Sequence, residues 1–301
     1  MKIFKIAIVL LFFSVSLFSE IEDYSLSSQT YINSNIKILD TKLLNFPHVH
    51  GISALAYEDG KLYALSDRGV LYLFNLILAD DKISKLSLYE KYVLTNTKGK
   101  VLKKKKCDSE GLCFYKDGLL ISFERKNRVL YCSRKAKKIK KLRLNTLLEN
   151  NANYQSPNKG LESVSYSKRY GLITIPEKPL KNVDKRYHTL YSKDNRWSFT
   201  AKGSVTDIEF IDTTHLLVLL RKFHYVTRQR MTSLVEVDLE DCNKYRVCKS
   251  ELLVKLDSNK GWKIDNFEGL TKVGKNKFLM VSDDNDSFFQ KTLLVLFEIK
   301  N

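Results

Sequence analysis

The sequence predicts an all-β fold, a single β-propeller, from three observations. After residue 45, apolar residues alternate with polar ones or run in short blocks rich in Val, Ile, Leu, Tyr and Phe, with almost no helical periodicity. Turn signals such as Asp59-Gly60 and Asp117-Gly118 divide these blocks into hairpins. The hairpins share one pattern and recur about every 45–60 residues, which is typical of propeller blades built from short strands.

The composition excludes several classes of protein. Of the 301 residues, 44% are hydrophobic and 11% aromatic, which is enough to bury a large core and excludes wholesale disorder. The 12 Gly and 4 Pro are too few for a collagen-like chain. The 51 Lys and Arg against 34 Asp and Glu give a net charge of +17, which favours an anionic partner. Because no recognition-helix pattern accompanies this charge, we expect an anionic small molecule or polymer and no nucleic acid.

A targeting segment begins the chain. Lys2 and Lys5 accompany an apolar run from Ile6 to Phe13, which is shorter than the ~20 residues of a membrane-spanning helix. This layout predicts a signal peptide over residues 1–19 and a mature domain over residues 20–301. An uncleaved membrane anchor is the alternative. With cleavage, we expect an exported monomer, periplasmic or extracellular, without stable membrane insertion.

Export would permit disulfide bonds among the five cysteines. Cys242 and Cys248 bracket five residues between two strand-like runs, which predicts a disulfide-closed hairpin tip. Cys107, Cys113 and Cys132 can provide one further pair and leave one thiol, and their pairing stays open. Metal ligation by these thiols is the weaker alternative, since the chain has no Cys-X-X-Cys pair.

Five hairpins account for the repeats and favour five blades. A strand from about Ile36 to Leu44 is expected to pair with Leu293 to Ile299, so that the ring closes and no sheet edge stays open there. A sixth blade would have to lie in segment 70–107 or 222–262. The first strands begin near Gly51, Ser109, Gly160, Thr206 and Phe267, and the second strands end in Ser66-Asp67-Arg68, Phe123-Glu124-Arg125, Pro176-Glu177-Lys178, Leu220-Arg221-Lys222 and Ser282-Asp283-Asp284.

Three of these hairpins carry an acid at both the entry and the exit. Glu110 and Glu124 are equidistant from Asp117 at the turn, so we expect them to face each other across the antiparallel pair. Around a propeller axis, these acids would gather at one mouth of the central channel. By the same spacing, we expect two further pairs of acids to face each other, Glu162 with Glu177 and Glu268 with Asp283.

The hairpin ends together form a recognisable set of motifs. They are Gly51-Ile52-Ser53-Ala54-Leu55 with Leu62-Tyr63-Ala64-Leu65-Ser66-Asp67-Arg68, Ser109-Glu110-Gly111-Leu112, Gly160-Leu161-Glu162, Val205-Thr206-Asp207-Ile208, and Phe267-Glu268-Gly269-Leu270 with Val281-Ser282-Asp283-Asp284-Asn285. This set resembles the phytase-like family, also called "esterase-like activity of phytase", over about residues 45–300. The resemblance implies an exported or envelope β-propeller, and the family's name implies hydrolysis of a phosphate or carboxyl ester. In the fourth repeat, Leu220 replaces the acid that the family commonly has before the Arg.

Two sets of charged residues are predicted to meet at the mouth. Crowded carboxylates need a cation, protons or basic partners, and their oxygens suit a hard divalent cation, Ca²⁺ above all. The alternative is that each acid pairs with a neighbouring Arg or accepts a backbone N–H. The basic set follows the second strands and suits the oxygens of an anionic ligand. The predicted metal ligands are Asp67, Glu110, Glu162, Asp207, Glu268, Asp283 and Asn285, and the predicted anion-binding residues are Arg68, Arg125, Lys178, Arg221 and Lys222.

These sets suit two main functions. The first is an exported hydrolase of an anionic ester, in which a bound cation polarises a phosphoryl or acyl oxygen and Glu110 or Glu268 activates water as general base. The alternative is a non-catalytic envelope propeller that binds a partner protein, glycan or anionic polymer through the same mouth. A structural envelope component is a third hypothesis. The chain has no Gly-X-Ser-X-Gly elbow and no His pair at metal-ligand spacing, so other hydrolase chemistries lack support.

Overall fold

Short antiparallel strands arranged in five sheets make up the computed structural model, which describes residues 19–27, 35–103, 106–285, 287 and 289–300. The predicted signal peptide covers residues 1–19, and of these only residue 19 is among the described residues. Four sheets have four strands, and the fifth has five. The protein is therefore a five-bladed β-propeller, as the repeats predict.

Each of the first four blades is a meander of consecutive strands. Blade 1 contains β3 (Ile52–Glu58), β4 (Lys61–Ser66), β5 (Val70–Ala79) and β6 (Lys82–Val93), and blade 2 contains β7 (Ser109–Tyr115), β8 (Gly118–Phe123), β9 (Arg128–Ser133) and β10 (Lys140–Lys141). Helix α1 (Thr146–Glu149) and a 3-10 turn (Asn151–Asn153) lead to blade 3, which contains β11 (Leu161–Ser167), β12 (Gly171–Pro176), β13 (His188–Tyr191) and β14 (Arg196–Phe199). Blade 4 contains β15 (Ser204–Phe210), β16 (His215–His224), β17 (Gln229–Cys242) and β18 (Cys248–Asp257), followed by a 3-10 turn (Ser258–Lys260).

Blade 5 joins the two ends of the chain. Its sheet order places β21 between β20 and β2, and the β2–β21 pairing runs from Ile36↔Ile299 to Leu43↔Leu293. The predicted closure by the N- and C-terminal strands is therefore confirmed. The segments considered for a sixth blade hold instead the outer strands of blades 1 and 4. The strands of blade 5 are β1 (Ile21–Asp23), β2 (Ile36–Leu44), β19 (Asn266–Lys272), β20 (Lys277–Asp283) and β21 (Leu293–Ile299).

The hydrophobic core is divided among the five interfaces between neighbouring blades. One cluster of buried side chains lies between each pair of blades, and Phe267 of blade 5, for example, packs with Leu219 of blade 4. Strands whose two faces are both covered are expected to be continuously apolar. This explains the unbroken run of buried residues from Leu216 to Leu220 in β16.

Buried hydrogen bonds to the innermost strands connect each blade shown here to the next. The Ser53 hydroxyl donates to the Ser109 carbonyl oxygen at 2.7 Å, and the Ser122 hydroxyl donates to the Glu162 carbonyl oxygen at 3.0 Å. The Leu270 N–H donates to Asp207 at 2.6 Å and so links blade 5 to blade 4. Because each bond satisfies a buried polar group, these contacts fix the angular position of one blade against the next.

The disulfide between Cys242 and Cys248 is confirmed and closes the tip of the β17–β18 hairpin. Cys107, Cys113 and Cys132 remain as thiols. Cys113 packs into the interface with blade 3 and Cys132 into the interface with blade 1, so these two side chains lie on opposite faces of blade 2. None of the helices in the described ranges has the length and apolar character that crossing a lipid bilayer requires.

Close packing of neighbouring blades makes Gly111 difficult to replace. A Cβ atom at this position would lie 2.7 Å from the Ser163 Cα and from the Val164 backbone nitrogen, both in β11. Because backbone atoms cannot move aside, we expect Gly111→Ala to lower the free energy of unfolding by about 2–3 kcal/mol in urea titrations. The control is Gly274→Ala, whose Cβ would make ordinary contact with Lys277 at 3.4 Å. Equal stability of the two variants would contradict this account of the interface.

Candidate functional site

The innermost strand of every blade has a β-bulge at the same position. In blade 2, Ser109 pairs with Phe123 and Gly111 with Ser122, so Glu110 between them has no partner. A bulge bends the strand and redirects the unpaired side chain. The residues at the five bulges are Ser53, Glu110, Glu162, Thr206 and Glu268.

A second row of charged residues lies on the second strand of each blade or directly after it, one position beyond the pair that flanks the bulge. The Glu124 N–H donates to the Asp108 carbonyl oxygen at 2.9 Å, one residue beyond the last pair of the β7–β8 ladder. Four of these positions are acidic, and the fourth blade has Arg221 there. The row is Asp67, Glu124, Glu177, Arg221 and Asp283.

The two rows meet in one cavity of about 300 Å³ at a mouth of the central channel. Eight carboxylates and three cations line it, together with Asn158 and Asn285. If all were ionised, the cavity would carry a net charge of −5. The acids are Asp67, Asp108, Glu110, Glu124, Glu162, Glu177, Glu268 and Asp283, and the cations are Arg125, Lys159 and Arg221.

The structure thus gathers most of the predicted acids at one opening. Within it, two groups of three carboxylates each have oxygens within 4.8 Å of one another, and Glu124 belongs to both groups. Two oxygens on opposite sides of one Ca²⁺ lie at most about 5 Å apart, because each Ca–O distance is about 2.4 Å. The donor set therefore fits a calcium-sized cation. The first group is Asp108, Glu110 and Glu124, and the second is Glu124, Glu162 and Glu177.

Burial and mutual repulsion favour the protonated form of these acids. Burial raises the pKa of Glu124 to about 7, against a hydrogen bond from the Gly160 N–H that favours its ionised form. Burial, with the charge of Glu268 nearby, raises the pKa of Asp283 to about 8. The pKa values of Glu110 and Glu162 lie well above the usual range, because both acids are desolvated and face other carboxylates. Without a cation, several of these groups hold protons at neutral pH.

Basic and amide groups satisfy only some of the acids. Arg221 donates to Glu268 and, at 2.8 Å, to the Asn266 side chain. The ammonium of Lys159 donates to both oxygens of Glu177, at 2.7 and 2.8 Å. Several carboxylates nearby hold Arg221 ionised and raise its pKa.

Glu110 and Glu162 differ from the other acids at the mouth. Neither side chain accepts a hydrogen bond from, or forms an ion pair with, any other residue that the structure describes, whereas each of the other six acids has one or the other. Glu110 is half-buried and Glu162 is buried, and both line the cavity. These two carboxylates are therefore the best placed to meet a ligand.

Asp207 is the predicted ligand that the structure does not bring to the mouth. It lies one residue beyond the bulge of blade 4, which Thr206 occupies, and it is buried. Its oxygens accept from the Ser163 hydroxyl, from the Ile208 N–H at 2.9 Å and from the Leu270 N–H at 2.6 Å. Asp207 therefore connects blades 3, 4 and 5 from inside the ring.

Arg221 occupies a different position from the one that the repeats predict. Leu220 was expected to stand where the other blades have an acid, but Leu220 pairs with Val205 and is buried in the core. Because of the bulge, Arg221 itself takes the place of the exit acid. The spacing also predicted that Glu110 and Glu124 are direct partners across the hairpin, and this is wrong. Glu110 is unpaired at the bulge, and Glu124 lies beside it.

Three of the other predicted cations lie at or beside the mouth. Arg125 lines the mouth and forms an ion pair with Asp108 at 2.7 Å. Lys178 and Lys222 line a neighbouring cavity of about 760 Å³ that shares Arg221 with the mouth. Arg68 is not among the described residues that line either cavity.

Several residues at the mouth were absent from the predicted ligand sets. Asp108, Asn158 and Lys159 precede the innermost strands, in loops that no strand pattern identifies. Glu124 and Glu177 were recognised as exit acids but not as ligands. The signal that could have found them is the acid that recurs after the second strand of four blades.

The solved structures that the chain resembles share little of its sequence. The aldose sugar dehydrogenase of Streptomyces coelicolor, in its PQQ-bound form, is 10% identical, with 87% of this chain and 97% of that chain covered and a TM-score of 0.45. The glutaminyl cyclase of Myxococcus xanthus is also 10% identical, with 88% and 97% covered and a TM-score of 0.49. No curated protein sequence matches the chain.

The family comparison is more specific. The Phytase-like model, described as "Esterase-like activity of phytase", matches residues 47–286. This range includes the innermost strands of all five blades and every acid that lines the mouth. The chain therefore belongs to the Phytase-like family.

Proposed function

We propose that the protein is an exported, metal-assisted hydrolase of an anionic ester, a phosphate or a carboxyl ester, with its active site at the channel mouth. The observation that carries this proposal is the pair of carboxylate groups around Glu124, in a cavity that also presents Arg221 and Lys159. The disulfide between Cys242 and Cys248 supports export, because such bonds persist in oxidising compartments.

The acids of the two carboxylate groups would hold a divalent cation, Ca²⁺ in the first instance. They offer only oxygen ligands, which hard cations prefer. A bound cation supplies a Lewis acid that polarises the ester oxygen and lowers the pKa of water. These acids are Asp108, Glu110, Glu124, Glu162 and Glu177.

Glu110 is the better candidate for the general base. Its carboxylate lines the cavity without a hydrogen bond from another described residue, so one oxygen would meet the cation, whose charge favours the ionised form, and the other would accept a proton from water. Glu268, the other candidate, is already bound by Arg221 and by the Asn266 amide at 2.6 Å. We assign Glu268 the role of holding Arg221 in place, where its guanidinium can bind the anionic part of the ester.

The test is a panel of phosphate and carboxyl esters, assayed on purified protein with Ca²⁺ and with EDTA. We expect calcium-dependent hydrolysis of at least one ester, and we expect Glu110→Gln to lower kcat about 100-fold or more, because general-base catalysis contributes about that much. The control is Asp59→Asn, which neutralises an exposed acid in the turn at the far end of blade 1.

Two outcomes would overturn the proposal. One is a panel with no ester hydrolysed faster in Ca²⁺ than in EDTA. The other is a Glu268→Ala variant that keeps both its calcium content and its hydrolytic rate. The first outcome would leave the non-catalytic alternative, binding of an anionic polymer at the mouth, which the basic cavity lined by Lys178 and Lys222 favours.

A further inference from the structure

The channel mouth continues into a groove along blade 4. The mouth and the cavity of about 760 Å³ beside it share Lys159, Glu177, Arg221 and Asn285. That cavity shares Arg221, Lys222 and Met231 with a third, of about 640 Å³. We call the second and third cavities together the basic groove, and they extend the mouth across β16, β17 and β18 towards blade 3.

The basic groove is strongly cationic. Among the described residues that line its outer cavity there are six cations and no carboxylate. Such a surface attracts an extended anion, since every part of the ligand meets charge of the opposite sign. The six cations are Lys185, Arg186, Lys202, Arg221, Lys222 and Lys255.

The two acids that reach the inner part of the groove do not cancel this charge. Glu177 is bound on both oxygens by Lys159. Asp265 accepts from the Gln290 side chain at 3.0 Å and from the Lys291 N–H at 2.9 Å. The protein's own donors therefore occupy both carboxylates, and a ligand would meet mainly the cations.

Several of the cations lack an acidic partner within the protein. Lys185, Lys202 and Lys222 form no ion pair with any other residue in the described part of the chain. Lys178 donates to the Gly203 carbonyl oxygen at 3.1 Å, and it lines the inner cavity together with Lys159, Arg221 and Lys222. Crowded cations that repel one another are stabilised when an anion binds between them.

The lining also indicates the chemistry of the ligand. Side chains between the cations of the outer cavity are small or aliphatic, such as Thr200, Ser233 and Val235, and no described residue that lines this cavity is aromatic. Single-stranded nucleic acids need aromatic platforms on which bases stack. Lys ammonium groups, in contrast, bind phosphate as point charges. In the outer cavity this composition favours a flexible chain of phosphates without stacking rings, and the aromatic side chains of the groove, Phe223, Tyr225 and Phe289, line only the inner cavity beside the mouth.

We propose that the basic groove binds a linear polyanion whose phosphate groups repeat along the chain, with one end of the chain at the channel mouth. The inference rests on the proposed function for that end, since the terminal phosphoryl group would be the one presented to the carboxylates. The rest of the chain would lie along the groove, from Arg221 to Lys202 and Lys255.

The experiment measures binding of fluorescently labelled linear polyphosphate by anisotropy in EDTA, where calcium-dependent hydrolysis is absent. We expect a chain of about 20 phosphates to bind at least about tenfold more tightly than triphosphate, because only the longer chain reaches the outer cations. We expect polyglutamate and single-stranded DNA of similar length to bind more weakly than polyphosphate at equal salt.

A matched pair of triple variants separates the groove from the net charge of the protein. The groove variant combines Lys185→Gln, Lys202→Gln and Lys255→Gln. The control combines Lys82→Gln, Lys85→Gln and Lys91→Gln on β6, the outermost strand of blade 1. We expect the groove variant to lose at least about tenfold in affinity for the long chain, with a shallower salt dependence, and the control to lose less than about twofold.

Three outcomes would overturn this inference: equal losses in the two triple variants, equal affinity for short and long chains, or tighter binding of polyglutamate or DNA than of polyphosphate. None of them depends on hydrolysis, so failure of the groove is distinct from failure of the proposed catalytic site. Binding of the long chain by a protein that hydrolyses no ester would support the groove and contradict only the hydrolase.

Discussion

In the absence of divalent cations, the protein is expected to lose stability as the pH rises from about 6.5 to about 9, and calcium is expected to restore it. The cause is the set of buried acids at the mouth, since burial raises the pKa of Glu124 to about 7 and that of Asp283 to about 8. The folded protein holds protons on these groups that the unfolded chain has already released near pH 4.

The sign of the effect follows from proton linkage. A carboxyl whose pKa is raised by folding stabilises the folded state fully below its unfolded pKa, and this stabilisation is lost as the pH passes the folded pKa. For Glu124 and Asp283 together, the loss between about pH 6.5 and pH 9 is on the order of 3 kcal/mol. Measurements begin at about pH 6.5 because burial lowers the pKa of His188 to about 4, which gives the opposite slope below that point.

Calcium is expected to act most strongly where the protons are lost. A cation that binds only the folded protein stabilises it by mass action, and it competes with protons for the same carboxylates. Thermal unfolding in EDTA and in excess Ca²⁺ should therefore show a calcium-induced rise in Tm that is small at pH 6.5 and larger at pH 9. A rise of the same size at both values would contradict the assignment of these acids to a cation site.

Two glutamates with similarly raised pKa values provide a matched comparison. Burial raises the pKa of Glu209 to about 7 as well, but Glu209 is not among the described residues that line the mouth, and it accepts from the Phe210 N–H at 2.8 Å. We expect both Glu124→Gln and Glu209→Gln to flatten the pH dependence in EDTA. Only Glu124→Gln should lose most of the calcium-induced rise in Tm. Equal loss in both variants would place the cation elsewhere.

The fold could be predicted because its signals are repeated and local. Alternating apolar residues, turns such as Asp117-Gly118 and a recurring hairpin length predict blades, and the apolar runs at the two ends of the chain predict their pairing. The close cysteine pair at the β17–β18 tip was recognisable from its spacing. None of these inferences needs the exact register of any one hairpin.

The positions of the residues at the candidate site depend on the pairing register between the first two strands of each blade. This register could not be predicted from the sequence. A bulge adds one residue to the inner strand, so Glu110 leaves the ladder and Glu124 moves one place along it. Where both residues are acidic, either register predicts an acid at the mouth. In blade 4 the two registers give different residues. The sequence alone placed Asp207 and Leu220 at the positions that the bulged ladder gives to Thr206 and Arg221. The bulge recurs in all five blades, but it can be recognised only from the residue pairs between the first two strands of each blade.

Replacement of Asp207 is expected to destabilise the whole propeller, without removing the calcium response. Because Asp207 is buried and accepts from the Leu270 N–H and the Ser163 hydroxyl, Asp207→Ala leaves both donors without their acceptor. An unsatisfied buried donor costs about 1–3 kcal/mol, so we expect the free energy of unfolding to fall by about 3 kcal/mol or more. Asp207→Asn should cost less, since its amide oxygen still accepts one bond.

The neighbouring bulge residue provides the control for this prediction. The Thr206 hydroxyl makes a single long hydrogen bond, 3.4 Å, to the Leu219 carbonyl oxygen, so Thr206→Val should cost about 1 kcal/mol or less. Urea titrations give the stabilities, and the rise in Tm with Ca²⁺ at pH 9 gives the cation response of each folded variant. If Asp207→Asn kept its stability and lost the calcium response, Asp207 would be a ligand, as the sequence predicted. Its hydrogen bonds to Ser163 and Leu270 instead favour a structural residue that holds three blades together without contacting the ion.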